Sequence, residues 1–315
     1  MVGAVVVGAM LGGLAPTATS VGQNPGTGEA TSASHRPDLR PGDMVKDVGV
    51  GARVPAPGRG VIVHSHGPDH LEGLRIETLP NGDVHVFGMG QGKPWEPEAV
   101  AVDSGSGGGS GQCNEDGKNQ QNFMERNTHP WYFNASSTPT NDISADSAQL
   151  AIAEAGRNWA QLNNSCGYSD NVWASFSYQG TTSLGANISG DGSSCLGDDD
   201  YSVVSFGNLA SNQDGVECSY YVLEAGWDEL IESDIKLNSH EESWTVAGNS
   251  SDCSGRADIQ AVMTHERGHT LGFGHVNNDT NDNLTMSTYL EGDCQISERS
   301  LGWGDIRAVR EKYQQ

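Results

Sequence analysis

Apolar side chains recur at helical spacing in the segment from Ser144 to Leu162. They occupy positions 148, 152, 155, 159 and 162, three or four residues apart. This spacing places apolar residues on one face of an α-helix. The pattern therefore predicts an amphipathic helix over this segment.

Shorter apolar segments predict β-strands, and a second helix is predicted from about Asp258 to Leu271. The predicted strands are Trp131 to Asn134, Val172 to Tyr178, Tyr201 to Phe206 and Asp234 to Asn238. Together these elements predict an α+β domain, and about 200 residues are enough to build one core.

The composition changes at a Gly/Ser-rich linker over residues 103–112. The segment before it, 21–102, contains a predicted hairpin from Leu74 to Leu79 and from Val84 to Phe87, around Asn81-Gly82. A segment this short has little core of its own. We interpret 21–102 as a propeptide or a small β-rich appended segment, and 113–315 as the domain that carries the chemistry.

The first twenty residues resemble an export signal. An apolar run from Val2 to Leu14 precedes small residues up to Ser20, without a positively charged start. The run is too short to span a bilayer. We expect residues 1–20 to be a signal peptide with a truncated beginning, and the protein to be secreted and extracellular. The alternative is that this run is not a signal.

Six cysteines lie between Cys113 and Cys294, and none has the C-x-x-C spacing of a metal site. An even number of cysteines in an exported domain predicts three disulfides. Fifteen pairings are possible. Cys253 and Cys294 are one candidate pair, because they flank the second helix and the methionine segment that follows it.

The net charge of −24 disfavours anionic partners. Such a surface repels phosphate backbones and anionic lipids, so we expect neither a nucleic acid nor a membrane as partner. Calcium is a possible ligand of the loops Asp191 to Asp200 and Asn277 to Asn283. The alternative for these loops is a solvated acidic face.

The second predicted helix carries a metal-binding pattern. His265 and His269 are four residues apart and lie on one helical face, where both can bind one zinc ion. Gly272 permits the left-handed backbone that ends a helix, so that His275 can return as third ligand. Glu266 follows the first ligand and is placed to act as a base rather than as a ligand.

The pattern H-E-x-x-H-x-x-G-x-x-H resembles that of the metzincin zinc endopeptidases, in which a methionine-containing turn follows. Leu284 to Tyr289 supplies such a turn, and the resemblance implies that Met286 forms an apolar floor under the three imidazoles. The segment from Leu301 to Val309, with Tyr313, resembles the final helix of matrixins, and the chain is similar to bacterial matrixin-like secreted peptidases.

The resemblance implies a twisted, mixed and mostly parallel sheet with two long helices, and a small C-terminal subdomain with a final helix. It implies a monomeric zinc endopeptidase, made as a zymogen, that cleaves internal bonds of protein or peptide substrates, with one catalytic zinc ion and Glu266 as general base. We expect the substrate to pair with an edge strand at Asp234 to Asn238. The alternative is a secreted zinc-binding or adhesive protein without catalytic activity.

Some residues depart from the matrixin pattern. Val276 follows the third histidine, where matrixins usually carry Ser or Thr, and Gly304-Asp305 replaces two adjacent aspartates. If Asp305 matches the second aspartate, it should brace the turn at Met286. Tyr289 lies one position beyond the tyrosine of some metzincins and receives no catalytic role.

The cysteine-switch latency of vertebrate matrixins cannot operate from segment 21–102, because this segment contains no cysteine. Cys113 is one alternative. A second is that His64, His66 and His70 mask the zinc, but we expect these three to be exposed loop histidines.

Overall fold

The computed structural model describes residues 33–47, 49–67, 73–88, 111–170, 172–190, 193–209, 213–240, 242–248, 250–251, 253–276, 278–288 and 294–314. The predictions for residues 1–32, for most of the linker, and for His70 and Tyr289 lie outside these residues.

The described residues form fifteen strands and four α-helices. The strands are β1 (Ser34–His35), β2 (Met44–Asp47), β3 (Val50–Arg53), β4 (Arg59–His66), β5 (Leu74–Thr78), β6 (Val84–Gly88), β7 (Phe123–Met124), β8 (His129–Phe133), β9 (Phe176–Thr181), β10 (Ser194–Cys195), β11 (Val203–Gly207), β12 (Gly215–Val222), β13 (Asp228–Asn238), β14 (Trp244–Thr245) and β15 (Ala257–Asp258). The helices are α1 (Ala145–Ala160), α2 (Ile259–Thr270), α3 (Asn278–Asn281) and α4 (Trp303–Tyr313).

One large mixed sheet forms the centre of the molecule. Its strand order is β1-β6-β5-β4-β12-β13-β11-β8-β9, and β7 also pairs with β13. Strands β9, β8, β11 and β13 are parallel to one another, whereas β12 is antiparallel to β13. The remaining strands form two small sheets, β10-β3-β2 and β14-β15. The predicted α+β class with a mixed sheet and a final helix is confirmed.

Helix α1 begins where the sequence predicts. The Ser144 side chain accepts a hydrogen bond from the backbone N–H of Ser147 and caps the helix. Ile152, Ala155 and Trp159 are buried as the apolar pattern requires. Helices α1 and α2 pack with the parallel strands in one core, whereas α4 packs in a second core with Trp159, Leu271 and Met286.

Residues 33–88, which we call the N-terminal unit, continue the sheet. The hairpin β5–β6 is confirmed, with Gly82 at φ +91° in its turn. Apolar side chains of the unit share one core with residues of the rest of the chain, among them Ile188, Val216 and Cys218. This unit therefore completes its core with side chains from beyond the linker.

The predicted strand from Val172 to Tyr178 is displaced in the structure. Val172 forms an isolated bridge with Gln314, and the chain pairs with β8 only from Phe176 onward. Ala174 is buried, whereas Trp173 is 59% exposed. Pairing with the C-terminal end of the chain therefore replaces the start of the strand expected from local composition.

Three disulfides join all six cysteines: Cys113–Cys166, Cys195–Cys218 and Cys253–Cys294. The predicted number and the candidate pair Cys253–Cys294 are confirmed. Cys113 is bonded to Cys166 and is therefore not a free thiol. In the described part of the chain, no helix is long and apolar enough to cross a membrane.

Candidate metal centre

Helix α2 is fixed at its start by a buried aspartate. The Asp258 side chain accepts a hydrogen bond from the backbone N–H of Ala261 at 3.0 Å, which satisfies one of the free donors of the first turn. Arg299 donates to the same carboxylate at 2.7 Å. These contacts set the position of the helix that presents His265 and His269.

The three histidines of the motif converge on one point. The Nε2 atom of His269 lies 2.9 Å from that of His265 and 3.1 Å from that of His275, and the His265 and His275 atoms are 3.1 Å apart. Four-coordinate zinc with Zn–N bonds of about 2.0 to 2.1 Å requires N–N separations of about 3.3 Å. The donor set fits one zinc ion, and the observed separations lie slightly below this value.

Backbone carbonyls fix the tautomer of two of these rings. His265 Nδ1 lies 2.7 Å from the carbonyl of Thr285, and His269 Nδ1 lies 2.7 Å from that of Phe273. A carbonyl only accepts, so each Nδ1 donates and a neutral ring leaves Nε2 with a lone pair. Burial lowers the pKa of His265 to about 4 and that of His269 well below its usual value. Neutral rings with Nε2 free are the form that binds a metal.

The turn after α2 brings the third histidine back. Gly272 has φ +76°, and a Cβ there would overlap the Lys312 ammonium and the carbonyl of Phe123. The Gly272 carbonyl accepts from Lys312 Nζ at 2.8 Å and from the Gln121 backbone N–H at 2.8 Å. This turn therefore requires glycine both for its backbone angle and for space.

Met286 lies beside the helix that carries the ligands. A Cβ on Gly268 would overlap the Met286 sulfur, so the missing side chain lets the methionine approach α2 closely. Asp305 accepts from the backbone N–H groups of Thr285 at 2.9 Å and Met286 at 3.3 Å. The expected brace of this turn by Asp305 is present.

Glu266 is fully buried beside strand β12 of the large sheet. Neither of its carboxylate oxygens has a hydrogen-bond partner among the described residues. A Cβ on Gly215 would overlap this carboxylate, so Glu266 lies directly against the backbone of β12. Burial, and then the carboxylates of Glu217 and Asp214, raise the pKa of Glu266 well above its usual value.

The edge strand was predicted wrongly. Asp234 to Asn238 belongs to β13, which has β11 on one side and β12 on the other and therefore has no free edge. Strand β12 is the outer strand of the part of the sheet beside α2. In the structure β4 of the N-terminal unit pairs antiparallel with it, from Val222 opposite Arg59 to Gly215 opposite His66.

The expectation of exposed loop histidines is wrong for His64 and His66. Both lie on β4 and are almost fully buried. The His64 ring stacks on that of His269 with centroids 3.9 Å apart, and the His66 ring lies 4.2 Å from that of His265. The two rings therefore cover the triad. Local composition did not reveal this, because the partner strand lies about 150 residues further along the chain.

Two carboxylates near the site were missed. Glu217 is fully buried on β12, and its Oε2 lies 3.4 Å from His64 Nδ1. Asp214 Oδ2 lies 3.8 Å from His66 Nδ1. The alternation in Gly215 to Ser219 is a possible strand signal, but nothing local indicates that this strand adjoins the motif.

Comparison with known families agrees with this geometry. Residues 214–314, about a third of the chain, match the family model of the matrixins. This region is therefore similar to the matrixins, a family of metzincins. The match supports a zinc metallopeptidase and includes β12, the histidine triad and α4. A search of curated proteins found no match.

The matrixin-like region carries one clear candidate for a metal. Among the described residues, the triad is the only group of three or more possible side-chain ligands whose atoms lie within 4.8 Å of one another. Asp198 pairs with Arg59, and Asn281 accepts from the backbone N–H of Gly117. Calcium binding by the two acidic loops stays a prediction.

Proposed function

We propose that the protein is a secreted zinc endopeptidase in which His265, His269 and His275 hold the metal and Glu266 is the general base. Two observations carry this proposal: three Nε2 atoms converge, and the buried glutamate that directly follows the first histidine in sequence has no hydrogen-bond partner among the described residues. The matrixin match supports the same chemistry. Three disulfides and the N-terminal apolar run support secretion.

Bound zinc would supply Lewis acidity, which polarises the scissile carbonyl and makes water more acidic. The protein supplies the proton transfers. Glu266 takes a proton from the attacking water and passes it to the leaving amine.

The substrate would bind as an extended strand along β12. A peptide there gains backbone hydrogen bonds in the manner of strand addition. In the intact chain β4 has this place, with His64 and His66 over the triad. We therefore infer that the N-terminal unit keeps the enzyme latent without a cysteine, and that cleavage in 103–112 begins activation.

The test is casein hydrolysis by the full chain, loaded with zinc and cut at a protease site placed in 103–112. We expect hydrolysis that phenanthroline abolishes. Glu266→Ala should retain zinc and lower the rate at least about a hundredfold, because general acid–base catalysis contributes on that order. The control is Glu154→Ala, which removes an exposed carboxylate on α1 and should not change the rate.

Two outcomes would contradict the proposal. Near-normal hydrolysis by Glu266→Ala would reject the assigned base. A cut chain that binds zinc but hydrolyses no protein would instead support the alternative, a zinc-binding protein without catalytic activity.

A further inference from the structure

We propose that the cleft, defined here as the space along β12 that β4 fills, selects extended peptide segments with basic side chains on alternate residues, which Glu217 and Asp214 recognise. This proposal rests on the proposed function, because it assumes that substrate takes the position of β4. It adds a substrate class: exposed strands or loops of the type basic-x-basic.

The register of β4 shows which side chains of such a strand face the carboxylates. His64 lies opposite Glu217 and His66 lies opposite Gly215. Alternate residues of a strand point to the same face, so both imidazoles point toward α2. A peptide in the same register would place two of its side chains, two residues apart, in these positions.

The Glu217 carboxylate is fixed by hydrogen bonds through one oxygen, and its other oxygen faces β4. Its Oε1 accepts hydrogen bonds from Ser219 Oγ and, at 2.8 Å, from Ser233 Oγ. Its Oε2 is directed to His64, at 3.4 Å from Nδ1. The residue is fully buried, and a buried carboxylate oxygen without a donor is costly. A substrate with an apolar side chain here would leave Oε2 without the donor that His64 provides.

Asp214 is the second carboxyl group near β4, and it lies beside that of Glu242. It precedes β12, and its backbone N–H donates to the carbonyl of His66 at 2.7 Å. Its carboxylate lies 3.8 Å from the imidazole of His66 and its side chain is 13% exposed. The spacing of the two carboxylates therefore matches two basic side chains on one face of a single strand.

Overall charge favours the same substrates. The chain carries 41 acidic and 17 basic residues, so its field attracts basic segments and repels acidic ones. Lysine or arginine should bind more strongly than the imidazoles of β4, because these side chains are charged at neutral pH and form charge-assisted hydrogen bonds. The substrate would thereby gain an advantage over the covering strand.

The test uses the full chain with Glu266→Ala, cut in 103–112 with both parts kept together and loaded with zinc. Two fluorescent peptides share the sequence Gly-Val-Ile-Val-X-Ser-X, with X as Lys in one and Gln in the other. Binding is measured by anisotropy. Both peptides compete with the same β4, so the ratio of their Kd values reports the preference. We expect the Lys peptide to bind at least about tenfold more tightly, which is about 1.4 kcal/mol.

Substitution of the carboxylate identifies the source of the preference. Glu217→Gln should reduce the ratio of Kd values to about threefold or less, on the order of one lost charge-assisted contact. The control is Glu229→Gln, which changes a carboxylate on β13 away from the cleft and should keep the full ratio. The two peptides on the chain with Glu217 intact give the answer even if Glu217→Gln does not fold.

Equal affinities for the two peptides, or no binding of either, would overturn the proposed recognition. Cleavage assays with the Glu266 chain separate this failure from failure of the proposed function. If both peptides are cleaved equally well, the peptidase stands and the selectivity fails. If the Lys peptide binds selectively but is never cleaved, the recognition stands and the peptidase fails.

Discussion

Two groups of buried histidines meet in this molecule, and their surroundings differ. In the triad, two Nδ1 atoms donate to backbone carbonyls and all three Nε2 atoms lie within about 3 Å of one another. In the pair on β4, each Nδ1 lies near a carboxylate, and His64 Nε2 has no partner among the described residues. The same residue type therefore has two environments.

The difference indicates two roles. Backbone carbonyls set the tautomer that a metal ligand needs, and they lie on rigid turns of the matrixin-like region. Carboxylates beside the pair would instead attract a basic side chain. We infer that the triad binds metal and that the pair covers it in the manner of a substrate.

The largest expected gain of activity comes from weakening the cover. A side chain on Gly60 would overlap the Tyr221 ring across the β4–β12 pairing, so Gly60→Val should displace β4. The uncut, zinc-loaded chain should then hydrolyse peptides at least about tenfold faster, on the scale of one lost stabilising contact. Initial rates measure this, and Arg53→Ala on the exposed end of β3 is the control.

An uncut wild-type chain that is already as active as the cut chain would contradict the proposed role of β4 as a cover. In that case His64 and His66 would lie over the triad without restricting access to it.

A second effect concerns stability and the disulfide that joins β12 to β10. Replacing Cys195 and Cys218 by serine should lower the free energy of unfolding by about 3 kcal/mol, because the bond closes a short loop in the unfolded chain. Denaturant unfolding measures the change. Alkylation of the wild-type protein without reductant should find no free thiol, and one reactive cysteine would contradict the pairing.

The smallest effect comes from the brace below the triad, which has no counterpart in the cover. Burial raises the pKa of Asp305 from 3.8 to about 6. Because the folded value lies above the unfolded one, this group favours folding at low pH and loses its contribution as pH rises from about 4 to about 6. Asp305→Asn should remove that part of the pH dependence, about 1 to 3 kcal/mol. Parallel stability profiles of the two proteins would contradict this account.

Local patterns were sufficient to predict the elements around the histidine triad. The apolar spacing predicted α1, and the histidine spacing with Gly272 predicted where α2 presents its rings and where it ends. Each of these features depends on residues within one or two turns of a helix. In the structure His265, His269 and His275 lie together, as these local patterns predict.

Contacts over long sequence distances could not be predicted in the same way. The pairing of β4 with β12 depends on side chains about 150 residues apart, and so do the burial of His64 and the position of Glu217. The prediction of Asp234 to Asn238 as an edge strand failed for the same reason, because strand order is a property of the whole sheet. The apolar run from Val61 to Val63 could have been recognised as a strand. The sequence gives no local sign that this strand pairs with β12.

The most direct test of the central claim is the zinc content of variants from the two histidine groups. Metal analysis after dialysis should find one zinc ion per chain in the wild type and in His64→Ala and His66→Ala. His269→Ala should lose most of its zinc, because one of three ligands is missing. Full zinc occupancy in His269→Ala, or loss of zinc in His64→Ala, would contradict the assignment of the triad as the metal site.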